Sequence, residues 1–329
     1  MTLQARQETF DSLQEEWRAL CPSAAGASVF MTPAWLRTWW DIVRQEEDLL
    51  LLAFRDGGRL AGIAPLMRDG DTVRFIAHSD ICDFHDFLCA PGLESQVYDR
   101  LLDELDATRW LTIELEGLRE GSPTLAVLPA LAKARGFTVE QSPEEVSPAI
   151  VVPATWDGYL GTLDKKDRHE LRRKLRRLES AGAVSLRFVG SEVTTRDVAT
   201  FLDLLRASRE EKRAFLTPVR ERFFHALARS MAAEGHLKLF FLELDGMRVA
   251  AAFCFDYQGG YYLYNSGFEP RQAPLSVGLL SKALCLKDAI DKGKGRFDLL
   301  RGAETYKYHL GARDHWVHKL VIRRGAALD

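Results

Sequence analysis

Arg301, Glu304, Tyr306, Lys307 and His309 crowd one short stretch, with Asp298 just upstream. These side-chain types can do acid–base and charge-stabilising chemistry. A carboxylate such as Glu304 can take a proton or anchor an ammonium group, and a phenol such as Tyr306 can supply a proton. Arg301 and Lys307 can neutralise phosphate or developing negative charge, and Asp298 can orient either cation. The competing reading is structural: Asp298 and Arg301 form an ion pair, and Tyr306 fills core.

Such residues need elements to position them. The run Tyr261, Tyr262, Leu263, Tyr264 has strand propensity, and Gly267 and Pro270 stop it. Ser276 stands where a helix N-cap belongs. Val277, Leu279, Leu280, Ala283, Leu284 and Ile290 follow, mostly at helical spacing, until Gly293 and Gly295. Phe297 to Leu300 reads as a short strand that delivers the polar loop. The first N–H groups of a helix lack partners and carry partial positive charge, so the start at Ser276, Val277 and Gly278 suits an anion.

Three segments carry a family resemblance. They are Asn265-Ser-Gly-Phe-Glu-Pro, the Pro274-x-Ser-x-Gly helix start, and Phe297-Asp-x-Leu-Arg-Gly-x-Glu-x-Tyr-Lys. Together they resemble the GNAT-related acyltransferases that include the CelD-type and FemAB-type proteins, and the likeness spans nearly the whole chain. It implies a bacterial protein with the GNAT fold that transfers an acyl group to an amine or hydroxyl. The donor phosphates would sit at Ser276, Val277 and Gly278. Backbone N–H groups of Ser266, Gly267 and Phe268 would polarise the thioester carbonyl. Glu304 would be a base or acceptor anchor, and Tyr306 an acid. The usual GNAT pyrophosphate loop is Arg/Gln-x-x-Gly-x-Gly/Ala. This chain has one glycine there, and Arg271 and Gln272 fall too early. The donor is therefore acetyl-CoA or another acyl-CoA, or, as in some FemAB-type proteins, aminoacyl-tRNA. A catalytically silent GNAT-like binding module is the third possibility. Relatives linked to cell-envelope and exopolysaccharide assembly suggest a small-molecule or glycan acceptor.

Composition narrows the class. The 329 residues favour two domains, and 47% hydrophobic content supplies a core. A net charge of −3 argues against a dedicated DNA binder. Five cysteines without a Cys-x-x-Cys fit a reducing compartment. The N-terminus is polar, and no apolar run reaches membrane-spanning length, so the expected location is the cytoplasm.

The first half alternates strands and helices, which fits an α/β (α+β) class. Trp35, Leu36, Trp39 and Trp40 follow a Thr32-Pro33 helix start and fit a core stripe better than a binding groove. Asp80, Asp83, His85 and Asp86 form a polar run. It suits a substrate-facing loop better than a metal site, which draws ligands from several elements. Ser142-Pro-Glu-Glu-Val-Ser-Pro reads as a linker, dividing the chain into 1–150 and 151–329.

Trp156 to Ser180 reads as one helix. Its basic part, 164–180, puts Arg168, Arg172 and Arg176 on one face at four-residue steps. They would hold something anionic, a tRNA backbone, coenzyme A phosphates or lipid-linked phosphate, against the plainer reading of a solvated amphipathic helix. Finally, Asp56-Gly-Gly-Arg-Leu-Ala and Asp245-Gly-Met-Arg-Val-Ala match at a constant offset. Each opens a hairpin followed by a third strand, which indicates two copies of one unit. With the resemblance, the expected architecture is two GNAT-like halves, each a mixed, largely antiparallel sheet flanked by helices, with catalysis in the second.

Overall fold

A computed structural model describes residues 3–324 and resolves two compact units. The first runs to Val146 and regains the chain from His315 onward; the second is Ser147–Asp314. In chain order the first holds β1 (Gln4–Gln7), α1 (Phe10–Leu20), α2 (Pro33–Ile42), β2 (Asp48–Asp56), β3 (Arg59–Asp69), β4 (Thr72–Phe75), β5 (Leu88–Cys89), α3 (Glu94–Asp106), β6 (Thr112–Arg119), α4 (Pro123–Ala134) and β7 (Thr138–Val146). The second holds β8 (Ala149–Val151), α5 (Trp156–Thr162), α6 (Lys165–Glu179), β9 (Val184–Val189), α7 (Thr195–Ser208), α8 (Glu210–Phe215), α9 (Pro218–Ala233), β10 (Leu237–Leu244), β11 (Met247–Tyr257), β12 (Gly260–Phe268), α10 (Val277–Asp291), β13 (Arg296–Asp298) and α11 (Thr305–His309). Then β14 (Trp316–Arg323) joins the first unit's sheet between β6 and β7.

Both units follow the same course. Three consecutive strands pair antiparallel, a helix crosses over, and the next strand lies parallel to the third. The strands are β2, β3, β4 and β6 with α3 in one unit, and β10, β11, β12 and β13 with α10 in the other. The hairpins matched in sequence, β2–β3 and β10–β11, occupy equivalent places. Gly57, Gly58 and Gly246 all adopt positive φ at their turns, as tight hairpins require.

Each sheet buries a helix. The first packs Val97, Leu101 and Leu105 of α3 with Leu52, Ala64 and Leu115. The second packs Val277, Leu280, Ala283 and Leu286 of α10 against Phe240, Ala252 and Leu263. Each fully buried Leu or Phe contributes roughly 1.5–3 kcal/mol. The tryptophan stripe of α2 is core: Trp35, Leu36 and Trp39 are completely buried.

Three sequence expectations need correction. Trp156–Ser180 is two helices, because Leu163 is extended and the Asp164 side chain accepts the Asp167 N–H to start α6 afresh. Of the expected linker Ser142–Pro148, the part Ser142–Val146 is the end of β7, and the unit boundary falls after Val146. β7 is an edge strand, where Pro143 lies opposite His318 at a bulge and loses no ladder bond that matters. The C-terminal strand was expected to stay with the second unit but pairs in the first, so one boundary near residue 150 does not describe the chain.

Candidate functional site

The site grows from the parting of two parallel strands. β12 pairs with β13 only through Gly260, Tyr261 and Tyr262. β13 then ends, and β12 continues to Phe268 with β11 on its other side. A bulge where Asn265 and Leu263 face the consecutive residues Phe253 and Cys254 leaves Tyr264 as the extra residue and bends β12 there. At Ser266 both backbone groups face the open edge. Its N–H donates to Asn265 Oδ1 (2.9 Å), and its carbonyl accepts from Lys212 Nζ.

The turn after β13 is held by Lys307. Its Nζ donates to the carbonyls of Leu300, Arg301 and Gly302 at 2.8, 2.8 and 2.9 Å and lies 2.9 Å from a Glu304 carboxylate oxygen. Leu300 and Gly302 both have positive φ, and a Cβ on Gly302 would lie 2.6 Å from Glu304 Oε2. This pinned turn brings Glu304 and Tyr306 to the cleft. α10 begins on the opposite wall. Ser276 is its N-cap but adopts a left-handed conformation (φ 58°), so its side chain makes no cap bond and the start of the helix carries no side-chain cap.

The resulting cleft has a volume of about 290 Å³ and lies wholly within the second unit. Ser266 and Phe268 of β12, Ser276 and Gly278 at the start of α10, and Glu304 and Tyr306 all line it. So do four cationic side chains that the sequence did not flag for it: Lys174, Arg209, Lys212 and Lys282. Lys282 sits among Leu279, Leu280, Ala283, Leu284, Cys285 and Leu286 on the helix Val277–Asp291, and a lysine within that apolar run was a usable signal. Lys212 lies on α8, a helix with no apolar periodicity, and nothing marked it.

The lysines are electrostatically strained. Burial pulls Lys212 down, the nearby cations Lys282, Arg209 and Lys307 add to the effect, and Glu304 opposes it; the result is about 7. Burial brings Lys282 down to about 8, with Arg209 contributing. Its Nζ donates to Gly278 O (2.6 Å) and lies over the Tyr306 ring. Burial alone would raise the Glu304 carboxyl, but the charge and hydrogen bond of Lys307 hold it below the usual carboxylate range. Burial pushes the Tyr306 phenol well above its ordinary range, so it stays protonated.

The remaining expected site residues are dispersed. Asp298 is buried and takes bonds from Arg296 Nε (2.9 Å) and Leu300 N–H (2.9 Å), so it orders the strand end. Arg301 contributes its carbonyl to the Lys307 pin. Val277 is buried in the helix–sheet core. The glycines admit close packing: a Cβ on Gly267 would lie 2.3 Å from Leu205 N of α7, and one on Gly278 would lie 2.7 Å from the Phe268 ring. Arg168 and Arg172 line a separate surface hollow formed by α6 residues, away from the cleft that Lys174 reaches.

Asp80, Asp83, His85 and Asp86 belong to the first unit. Asp80 is exposed and Asp83 partly buried, but His85 and Asp86 are buried, which does not suit a substrate-facing loop. His85 stacks on Phe75, with centroids 5.5 Å apart. The Asp86 carboxylate accepts from Ser122 Oγ (2.6 Å), Thr124 Oγ1 and the Phe87 N–H, and burial raises its pKa. Among the described residues no cluster of His, Cys, Asp or Glu could hold a metal, and no helix is long and apolar enough to cross a membrane.

The parted strand pair and the uncapped helix start both lie in the part of the chain that is similar to the acetyltransferase (GNAT) domain. Residues 165–308 match that domain's family model. The GNAT fold extends through the chain as two GNAT-like halves. FemX shares it with a TM-score of 0.64 at 12% identity, covering 95% of this chain and 96% of FemX. L-PGS from Bacillus licheniformis does so with a TM-score of 0.61 at 11% identity, covering 95% of this chain and 93% of that one. The tandem GNAT protein from the clavulanic acid biosynthesis pathway, solved without AcCoA, gives 0.52 at 14% identity over 98% and 99% of the two chains. No curated protein matches the chain in sequence.

Proposed function

We propose that the second unit is a direct acyltransferase, moving an acyl group from acetyl-CoA or another acyl-CoA to an amine or hydroxyl of a small molecule or glycan. The observation that carries this reading is the open edge of β12 facing the uncapped start of α10 across a cationic cleft. Pyrophosphate would lie at the helix start, near Ser276 and Gly278, with Lys282 close by. The acyl carbon would sit along β12 near Ser266 to Phe268. Holding donor and acceptor together supplies much of the rate. Glu304, ionised and partly exposed, anchors an acceptor ammonium. Tyr306, protonated, donates to the leaving thiolate. Lys307 shapes the turn that presents both. Five free, buried cysteines accord with a cytoplasmic setting.

Thermal unfolding with acetyl-CoA, coenzyme A and longer acyl-CoAs tests the donor. A ligand at a hundred times its dissociation constant stabilises by about 2.7 kcal/mol. Absence of any shift at millimolar ligand would sink the coenzyme A reading. Stabilisation without release of free coenzyme A, across a panel of amine and sugar acceptors, would mark a binding module instead.

The second reading is a FemAB-like transfer from aminoacyl-tRNA. It is favoured by α6, where Lys165, Lys166, Arg168, Arg172, Arg173, Arg176 and Arg177 accompany the cleft-lining Lys174. Salt-dependent tRNA binding that is lost on neutralising α6, with no response to acyl-CoA, would put this reading first.

A further inference from the structure

Lys212 lines the cleft in surroundings unlike those of Lys307. Lys307 meets three carbonyls and a carboxylate. Among the described residues Lys212 Nζ meets two oxygens, the Ser266 carbonyl and Asn265 Oδ1 (3.1 Å), both at the open edge of β12. A neutral amine has two N–H bonds and one lone pair. Two acceptors use both N–H bonds and leave the lone pair for the cleft that Lys212 lines.

We propose that Lys212 is the proton acceptor of the transfer reaction, aimed by the Ser266 carbonyl and the Asn265 side chain at the place where the acyl carbon lies. The inference rests on the acyltransferase reading above. Groups from every neighbouring element set its charge. Arg209 between α7 and α8, Lys282 on α10 and Lys307 on α11 oppose protonation, and Glu304 before α11 favours it. The balance leaves the amine able to accept a proton near neutral pH, where a general base works best.

The step balances as follows. The acceptor amine, its ammonium proton first given up to solvent beside Glu304, bonds through its lone pair to the acyl carbon, and the carbon–sulfur bond breaks. The proton lost by nitrogen goes to the Lys212 lone pair. The departing thiolate takes the Tyr306 proton, and the Lys212 ammonium returns one to the Tyr306 phenolate through solvent. The products are the amide and free coenzyme A thiol.

The test follows free thiol release from acetyl-CoA, with an amine acceptor panel, as a function of pH. For the wild type, kcat/KM should rise with pH through about 7 and then level off. Lys212→Arg keeps the charge and the N–H donors but has no lone pair at neutral pH. It should stay folded and lose roughly 10²–10⁴-fold in kcat/KM, the usual range for general base catalysis, together with the limb near 7. Lys212→Cys alkylated to an aminoethyl cysteine offers a second handle, since the native cysteines are buried. Its amine is intrinsically less basic, so activity should return with the limb moved to lower pH. Thiol release by Lys212→Arg with the wild-type limb intact overturns the proposal and leaves the acyltransferase reading standing. No thiol release from the wild type with any acceptor overturns both.

Discussion

Beyond Arg74, the last residue of β4 to pair with β6, the next partner along β6 is not a strand: His85 N–H binds the Gly117 carbonyl at 2.9 Å. Phe84, His85, Asp86 and Phe87 are buried there, and a Cβ on Gly117 would lie 2.6 Å from the imidazole. Beyond Tyr262, the equivalent point of the second unit, β12 runs on beside a cleft lined by lysines. The crossover helices differ in the same sense. α3 opens on Glu94, whose carboxylate accepts the Gly92 N–H (3.2 Å). α10 has no acidic residue in its first turn and carries Lys282 in its second. One helix start repels an anion and the other attracts it. The same strand–helix–strand course thus gives a filled gap in one unit and an open one in the other. What occupies the gap, rather than the fold, decides where chemistry is possible.

Substitutions can break this comparison. The largest expected effect is at Lys307. Lys307→Met leaves three buried carbonyls without their donor and should destabilise the protein by about 3 kcal/mol, read from urea unfolding. An effect under about 0.5 kcal/mol would mean that the turn is not pinned. Next is Glu304→Gln, which should lower kcat/KM by about 100-fold and, by removing the charged partner of Lys307, destabilise by less than Lys307→Met does. His85→Ala in the filled gap should show the converse, a loss of about 2 kcal/mol in stability with turnover per folded molecule unchanged. A turnover defect in His85→Ala would return the first unit to the active site.

Two smaller effects sharpen the contrast. Gly267→Ala places its methyl against the α7 backbone, whereas Gly62→Ala meets mainly the Val97 methyls at 2.8 Å. The former should cost about 2–3 kcal/mol and the latter about 1 kcal/mol, since a side chain can give way and a helix backbone cannot. Finally, Arg209→Ala removes a cation that depresses Lys212, so the pH limb should move above 7; Glu304→Gln removes an anion that supports the ammonium, so its limb should move below. Shifts of the opposite sign would show that another group titrates.

Much of this was legible in the chain where local physics decides. Thr32-Pro33 caps and starts α2, and both Asp-Gly turns make their hairpins. The alternation from Trp316 made a strand, though only pairing could show which sheet receives it. Tertiary context overrode local signals elsewhere. Pro143 read as a breaker because edge-strand placement is invisible in sequence. Asp164 looked like a residue within a helix because Leu160, Leu163 and Leu171 continue one apolar stripe across the break. At the candidate site, Glu304 and Tyr306, which line the cleft, stand out in sequence because their loop is dense in polar groups. Lys307 was found too, but as chemistry rather than as the pin that its burial makes it. Lys212 was missed because its environment comes from β12, α10 and the turn before α11, all distant in sequence.

The most direct measurement is amide hydrogen exchange with and without saturating acetyl-CoA. The account predicts added protection across residues 208–212, 264–280 and 300–307, with residues 72–98 and 112–119 unchanged. Protection confined to those first-unit residues, or none anywhere, would contradict it.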